Sequence, residues 1–223
     1  MRTAVLTSIL VAVLALLVTH PAGTSTTGVE VVVKDERGKP VSDAVVSLTA
    51  PDATATPSKS APSIMDQQNK EFVPYVLPVA AGTSVAFPNR DNIRHHVYSF
   101  SAAKRFELPL YIGTPAAPVV FDTPGTVVLG CNIHDWMVGY IYVLTTPYFA
   151  KTAEDGAARI SEVPAGTYAA RVWHPRLRAE TDKTLTPVTV APGEPARVTF
   201  AVALKPDRRG PRRPGYEGAQ GGS

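Results

Sequence analysis

The chain has 223 residues, 44% of them apolar and 18% charged, which is enough for one or two domains with real cores. Its formal charge of +3 comes from the two ends: Arg2 contributes one positive charge, and the stretch from Pro206 a net two, with Arg208, Arg209, Arg212 and Arg213 set against Asp207 and Glu217. The rest is neutral, which excludes nucleic acid as a partner, because such binding needs a basic surface contributed by the fold.

Arg2 precedes an apolar run from Ala4 to Val18 that is interrupted by Thr7 and Ser8. The run is shorter than the roughly 20 residues of a membrane span. It gives way to His20-Pro21-Ala22-Gly23, so residues 1–27 read as a signal peptide cleaved between Ala22 and Thr27. The mature protein is expected in the periplasm or outside the cell, with no stable membrane span. An exported chain with one cysteine cannot build an internal disulfide. The thiol of Cys131 therefore needs another use.

Val29 to Lys34 is a β-rich run, Asp35 to Pro40 supplies turn residues, and Val41 to Leu48 alternates as a return strand, so the pattern predicts a hairpin. Residues 51–63, rich in Ala, Pro, Thr and Ser, read as a flexible linker. In the block over 64–145, strands are predicted over Val73–Val79, Thr83–Phe87, Val97–Phe100, Val119–Asp122, Val127–Leu129 and Tyr140–Leu144. The segment from Ser101 to Pro118 is polar, contains prolines, and is assigned no element. Ala169–Trp173 and Thr189–Leu204 supply further strands, and residues 205–223 form a basic Pro/Gly tail with little to bury, expected to be disordered. Many short strands between turn signals predict an all-β sandwich architecture.

The chemistry concentrates in Cys131-Asn132-Ile133-His134-Asp135-Trp136-Met137. A thiol, an imidazole and a thioether, each three residues after the last, converge if the segment turns tightly at the end of a strand. That set suits copper, which in electron-transfer sites takes two His and one Cys with a weak axial Met. Structural zinc prefers four strong ligands, and Met is not among them. The second histidine must come from His95-His96. Adjacent strand residues point to opposite faces, so only one of the pair can enter the site.

Two segments carry a family resemblance. Phe87-Pro88-Asn89-Arg90-Asp91-Asn92-Ile93-Arg94-His95-His96-Val97 and Pro124-Gly125-Thr126-Val127-Val128-Leu129-Gly130-Cys131, with the C-x₂-H-x₂-M spacing, resemble the cupredoxins, plastocyanin and above all amicyanin. The resemblance covers residues 64–144. It implies a Greek-key β-sandwich and one type 1 copper per chain, held by His95, Cys131, His134 and Met137. By the same resemblance the electron leaves through the edge of His134, with Ile133 and Trp136 forming an apolar contact patch. Where plastocyanins carry Asn after the first ligand histidine, this chain has His96, so the hydrogen bond that pins the cysteine loop is expected to be made differently or lost. His96 and Asn132 are expected to support the site or to meet a partner.

The flanking segments Val31–Val46, Thr152–Gly156 and Val163–Tyr168 resemble carboxypeptidase-regulatory-like domains, a transthyretin-type sandwich. The resemblance implies that residues 28–50 and 146–204 form a second small sandwich, split around the first. The functional expectation is an exported, monomeric electron carrier, itself no enzyme, that exchanges single electrons with a redox protein such as a dehydrogenase or cytochrome. The alternative is a periplasmic copper-binding protein for delivery or storage.

Overall fold

The computed structural model describes residues 26–51, 61–115, 117–178 and 185–207. All but the last two residues of the predicted signal peptide, most of the predicted linker (52–60) and the tail from 208 lie outside them. The described chain is all-β, with seventeen strands. In order they are β1 (Thr26–Asp35), β2 (Val45–Thr49), β3 (Ser63–Ile64), β4 (Asp66–Gln68), β5 (Glu71–Val73), β6 (Val76–Ala80), β7 (Thr83–Ala86), β8 (His95–Ser101) and β9 (Lys104–Tyr111). There follow β10 (Val119–Phe121), β11 (Gly125–Gly130), β12 (Val138–Leu144), β13 (Phe149–Lys151), β14 (Ala157–Pro164), β15 (Gly166–Trp173), β16 (Leu185–Val190) and β17 (Ala196–Val202).

Strands from the two ends of the chain enclose one core. β1 lies between β14, antiparallel to it, and β17, parallel to it. A second sheet runs β13-β2-β15-β16. Period-two alternation sorts the side chains of β1: Val29, Val31 and Val33 are buried, while Glu30 faces outward to Arg159 and Arg197. Tyr168, Ala170 and Val172 of β15 and Val198, Phe200 and Val202 of β17 complete this core. Fully burying one such apolar side chain contributes about 1.5–3 kcal/mol.

The middle of the chain builds the other core. A five-stranded sheet, β6-β12-β11-β8-β9, faces a three-stranded one, β10-β7-β3, across a layer that includes Phe87, Val97, Phe121, Leu129 and Ile141. The short hairpin β4-β5 stands beside them. Trp173 joins the two bodies: it stacks on Tyr142 with ring centroids 4.4 Å apart and planes 6° from parallel, beside Val45, Val76 and Leu144.

Two expectations are corrected. The turn at Asp35–Pro40 forms, with Asp35 Oδ1 accepting the amides of Arg37 and Lys39. The return strand does not pair with β1 beyond a single bridge, Lys34 to Pro40. The chain instead crosses between sheets at Val41–Ala44, held by the Thr152 hydroxyl, which donates to Val41 O and accepts from Ala44 N. β2 then pairs with β13 and β15. The reason is that β2 is buried on both faces, Val46 and Leu48 in one core and Val45 against Trp173. A two-stranded hairpin covers only one face.

The segment from Ser101 to Pro118, assigned no element from sequence, contains β9, which pairs along β8. Pro109 masks it. β9 is an edge strand of its sheet, where a missing amide donor is tolerated, and Phe106 and Leu108 alternate inward from it.

Candidate metal centre

β11 delivers Cys131 at the end of the five-stranded sheet, and the connection to β12 is a seven-residue loop, 131–137. Within it the Met137 amide donates to His134 O at 2.9 Å, which closes a turn. The burial pattern of the loop has a period of three: Cys131, His134 and Met137 are buried, whereas Asn132, Ile133, Asp135 and Trp136 are exposed. The glycine before the cysteine leaves room for the Tyr98 ring, since a Cβ on Gly130 would lie 2.7 Å from it and would have to displace it.

His95 arrives from across the sheet as the first residue of β8, fully buried. Its Nδ1 lies 3.9 Å from Cys131 Sγ, and His134 Nδ1 lies 3.6 Å from the same sulfur. One donor atom from each of the three residues falls within 4.8 Å of the others. Zinc-type bond lengths of about 2.3 Å to sulfur and about 2.0 Å to nitrogen put a sulfur and a nitrogen on one trigonal or tetrahedral ion about 3.5–3.7 Å apart, close to the two sulfur–nitrogen separations seen here. Met137, 1% exposed, packs in the same core cluster as Cys131.

Electrostatics favour a neutral, metal-ready imidazole at His134. Burial, with help from His95 and the Lys70 ammonium, lowers the pKa of His134, which keeps its nitrogen lone pair free. His95 Nε2 lies 2.7 Å from Asp91 Oδ2, on the side of the ring away from the Nδ1 that faces Cys131. Partial burial raises the pKa of Asp91, but the Lys70 amide, His95 and the Asn69 amide outweigh it and lower the net value.

The other expected residues separate cleanly. His96 points to the opposite face, half-buried, with Nε2 2.9 Å from Glu107 Oε1. Ile133 and Trp136 are 49% and 42% exposed, and the Trp136 ring lies 5.3 Å from that of His134. Asn132 is exposed.

Sequence reasoning missed the groups behind His95. Asp91, Asn89, Gln67 and Tyr111 form a network under it: Tyr111 Oη donates to Phe87 O and accepts from the Gln67 amide, and Asn89 Nδ2 donates to Ile93 O and Tyr111 O. Burial pushes the Tyr111 phenol up to about 12. An acidic residue four positions before the histidine was the one local signal available.

No family model matches the chain, and no curated protein matches it. Solved structures do. The chain is similar to a purple cupredoxin from Nitrosopumilus maritimus at 25% identity, over 38% of this chain and all of that one, with a TM-score of 0.33. A reduced amicyanin variant matches at 22% identity, over 44% of this chain and 99% of that one, with a TM-score of 0.34. A copper-containing nitrite reductase from Thermus scotoductus matches at 26% identity over 51% of this chain, with a TM-score of 0.36, and only 28% of the reductase is spanned. The TM-scores are low, and the case for a metal rests on the side chains of this protein.

Proposed function

We propose that His95, Cys131, His134 and Met137 hold one type 1 copper ion and that the chain carries single electrons between redox partners. The observation that carries this reading is the burial of one thiol and two imidazole nitrogens within 4.8 Å of one another at the end of a sheet. When bound, copper supplies a one-electron Cu(II)/Cu(I) couple. Cys131 provides a thiolate and, through it, a covalent path into β11. His95 and His134 bind as neutral groups and suit either oxidation state. Met137 is a weak donor that helps set the potential, and its presence in place of a fourth strong ligand disfavours structural zinc.

A scaffold of paired strands restrains these side chains as the charge changes. His134, 8% exposed, is flanked by exposed Ile133 and Trp136, which offer a small apolar contact for a transient redox partner, a dehydrogenase or a cytochrome. Copper delivery or storage requires ligand exchange with a partner, and the burial of His95 and Cys131 at 0% and 4% exposure argues against it. The chain on this reading is a carrier and no enzyme.

Export to the periplasm or beyond is supported by the leader-like sequence, and among the described residues no helix is long and apolar enough to cross a membrane. The division into a copper module at 64–145 and a second sandwich from 28–50 plus 146–204 is supported by the pairing of β1 with β14 and β17. Copper titration with voltammetry tests the reading. One equivalent of Cu(II) per chain and a reversible one-electron wave are expected, and several equivalents or an irreversible wave would overturn it.

A further inference from the structure

The hairpin β4-β5 turns on two residues, Asn69 and Lys70, between the paired Gln68 and Glu71. Both turn residues adopt positive φ, 54° and 60°. This is the backbone of the two-residue hairpin turns that favour Asn and Gly. A lysine there is unusual, because a side chain with a Cβ is strained in the left-handed region. The turn has a specific result: the amide of Asn69 donates to Asp91 Oδ1 at 2.7 Å, and the amide of Lys70 donates to Asp91 Oδ2 at 2.8 Å.

The grip on Asp91 continues on its other side. Its own amide donates to Asn89 Oδ1 at 3.0 Å, and Asn89 is tied to Ile93 O and Tyr111 O. The hairpin is anchored as well. Phe72 of β5 packs on Gly139, two residues past Met137, where an added Cβ would lie 2.7 Å from the Phe72 Cβ and 3.0 Å from its ring. Gln67 of β4 donates to Pro88 O. One small hairpin therefore touches both segments that carry the donor residues.

From this arrangement we infer that Asp91, held by the two turn amides, is a positioning residue that fixes His95 in the Nε2–H tautomer and presents the Nδ1 lone pair to the metal. Neutral imidazole has one donor nitrogen and one acceptor, and the bond made by one decides the role of the other. The Asp91 carboxylate accepts from Nε2 at 2.7 Å and cannot itself donate when ionised, so only Nδ1 remains for a metal. The same negative charge makes the imidazole a better donor. It stabilises the more positive oxidised ion and so lowers the reduction potential. That last consequence rests on the copper reading; the tautomer does not.

The test begins on the metal-free protein, where long-range proton–nitrogen correlation of the imidazoles reads the tautomer directly. Wild type is expected to show His95 as a single Nε2–H form, and Asp91→Ala as a mixture of tautomers with Cu(II) affinity lowered about 10–100-fold. Asp91→Asn keeps an acceptor oxygen without the charge. It should retain the single tautomer and show a raised reduction potential, and it keeps the test decisive if Asp91→Ala does not fold. An Nδ1–H tautomer in wild type, an unchanged tautomer in Asp91→Ala, or an unchanged potential in Asp91→Asn would overturn the inference. If wild type yields no type 1 spectrum, the copper reading fails, and the tautomer of the metal-free protein still decides the role of Asp91.

Discussion

The two cores of this chain are built from the same alternating strands and differ in what they bury. Around β1, β2, β14, β15 and β17 the buried cluster is Val, Ala, Leu, Ile, Phe and Tyr. Around β8, β11 and β12 the apolar cluster also takes in Cys131 and Met137, with His95 and His134 buried beside that thiol. Burying polar groups is unfavourable unless they are partnered, and here the partners are gathered at one end of one sheet. Among the described residues, the first core gathers no group of His, Cys, Asp or Glu side chains that could hold a metal. The second places its chemistry where two ligand segments meet.

The difference can be broken from the first side. Phe200→Ala removes a large side chain 3% exposed in the apolar core and should lower unfolding free energy by about 3–5 kcal/mol in denaturant titrations. It should leave the metal spectrum of the folded protein unaltered. A changed spectrum would mean that the two bodies share more than the Trp173 contact. Thr152→Val is a smaller blow to the same body. It strips the partner from the Ala44 amide where the chain crosses sheets and should cost about 1–3 kcal/mol by the same measurement.

From the second side, Met137→Leu should leave stability nearly unchanged, within about 1.5 kcal/mol, because the swap conserves volume in a buried position. It should raise the reduction potential by removing the thioether, with the change read by voltammetry. The smallest expected effect comes from Tyr111. Its folded pKa is raised above the ordinary phenol value of 10.0 to about 12, so its contribution to stability is fully present below pH 10 and is lost as pH rises toward 12. Ultraviolet titration should show the late-ionising Tyr111 phenol lost in Tyr111→Phe, while Tyr168, whose pKa burial also raises, persists.

Much of the second core was legible in the sequence because its signals are local. Cys131, His134 and Met137 sit three apart, so one tight loop buries all three. The doublet His95-His96 is resolved by strand alternation, which sends one ring inward and the other to Glu107. The groups that steady the site were illegible, since Gln67 lies 44 residues from its partner Tyr111, and Asn69 22 from Asp91. No periodicity links such pairs. β9 was hidden by Pro109, a breaker that an edge strand accommodates. β2 was misread because the alternation over Val41–Leu48 suggested pairing with its neighbour in sequence, whereas its partners, β13 and β15, lie about 100 residues further on.

The most direct test of the central claim is the visible absorption and electron paramagnetic resonance of the mature protein after stoichiometric Cu(II), beside Cys131→Ser. The geometry of His95, Cys131 and His134 predicts an intense sulfur-to-copper charge-transfer band and narrow copper hyperfine splitting, both lost in the variant. A colourless protein, or an ordinary Cu(II) spectrum indifferent to Cys131→Ser, would contradict it.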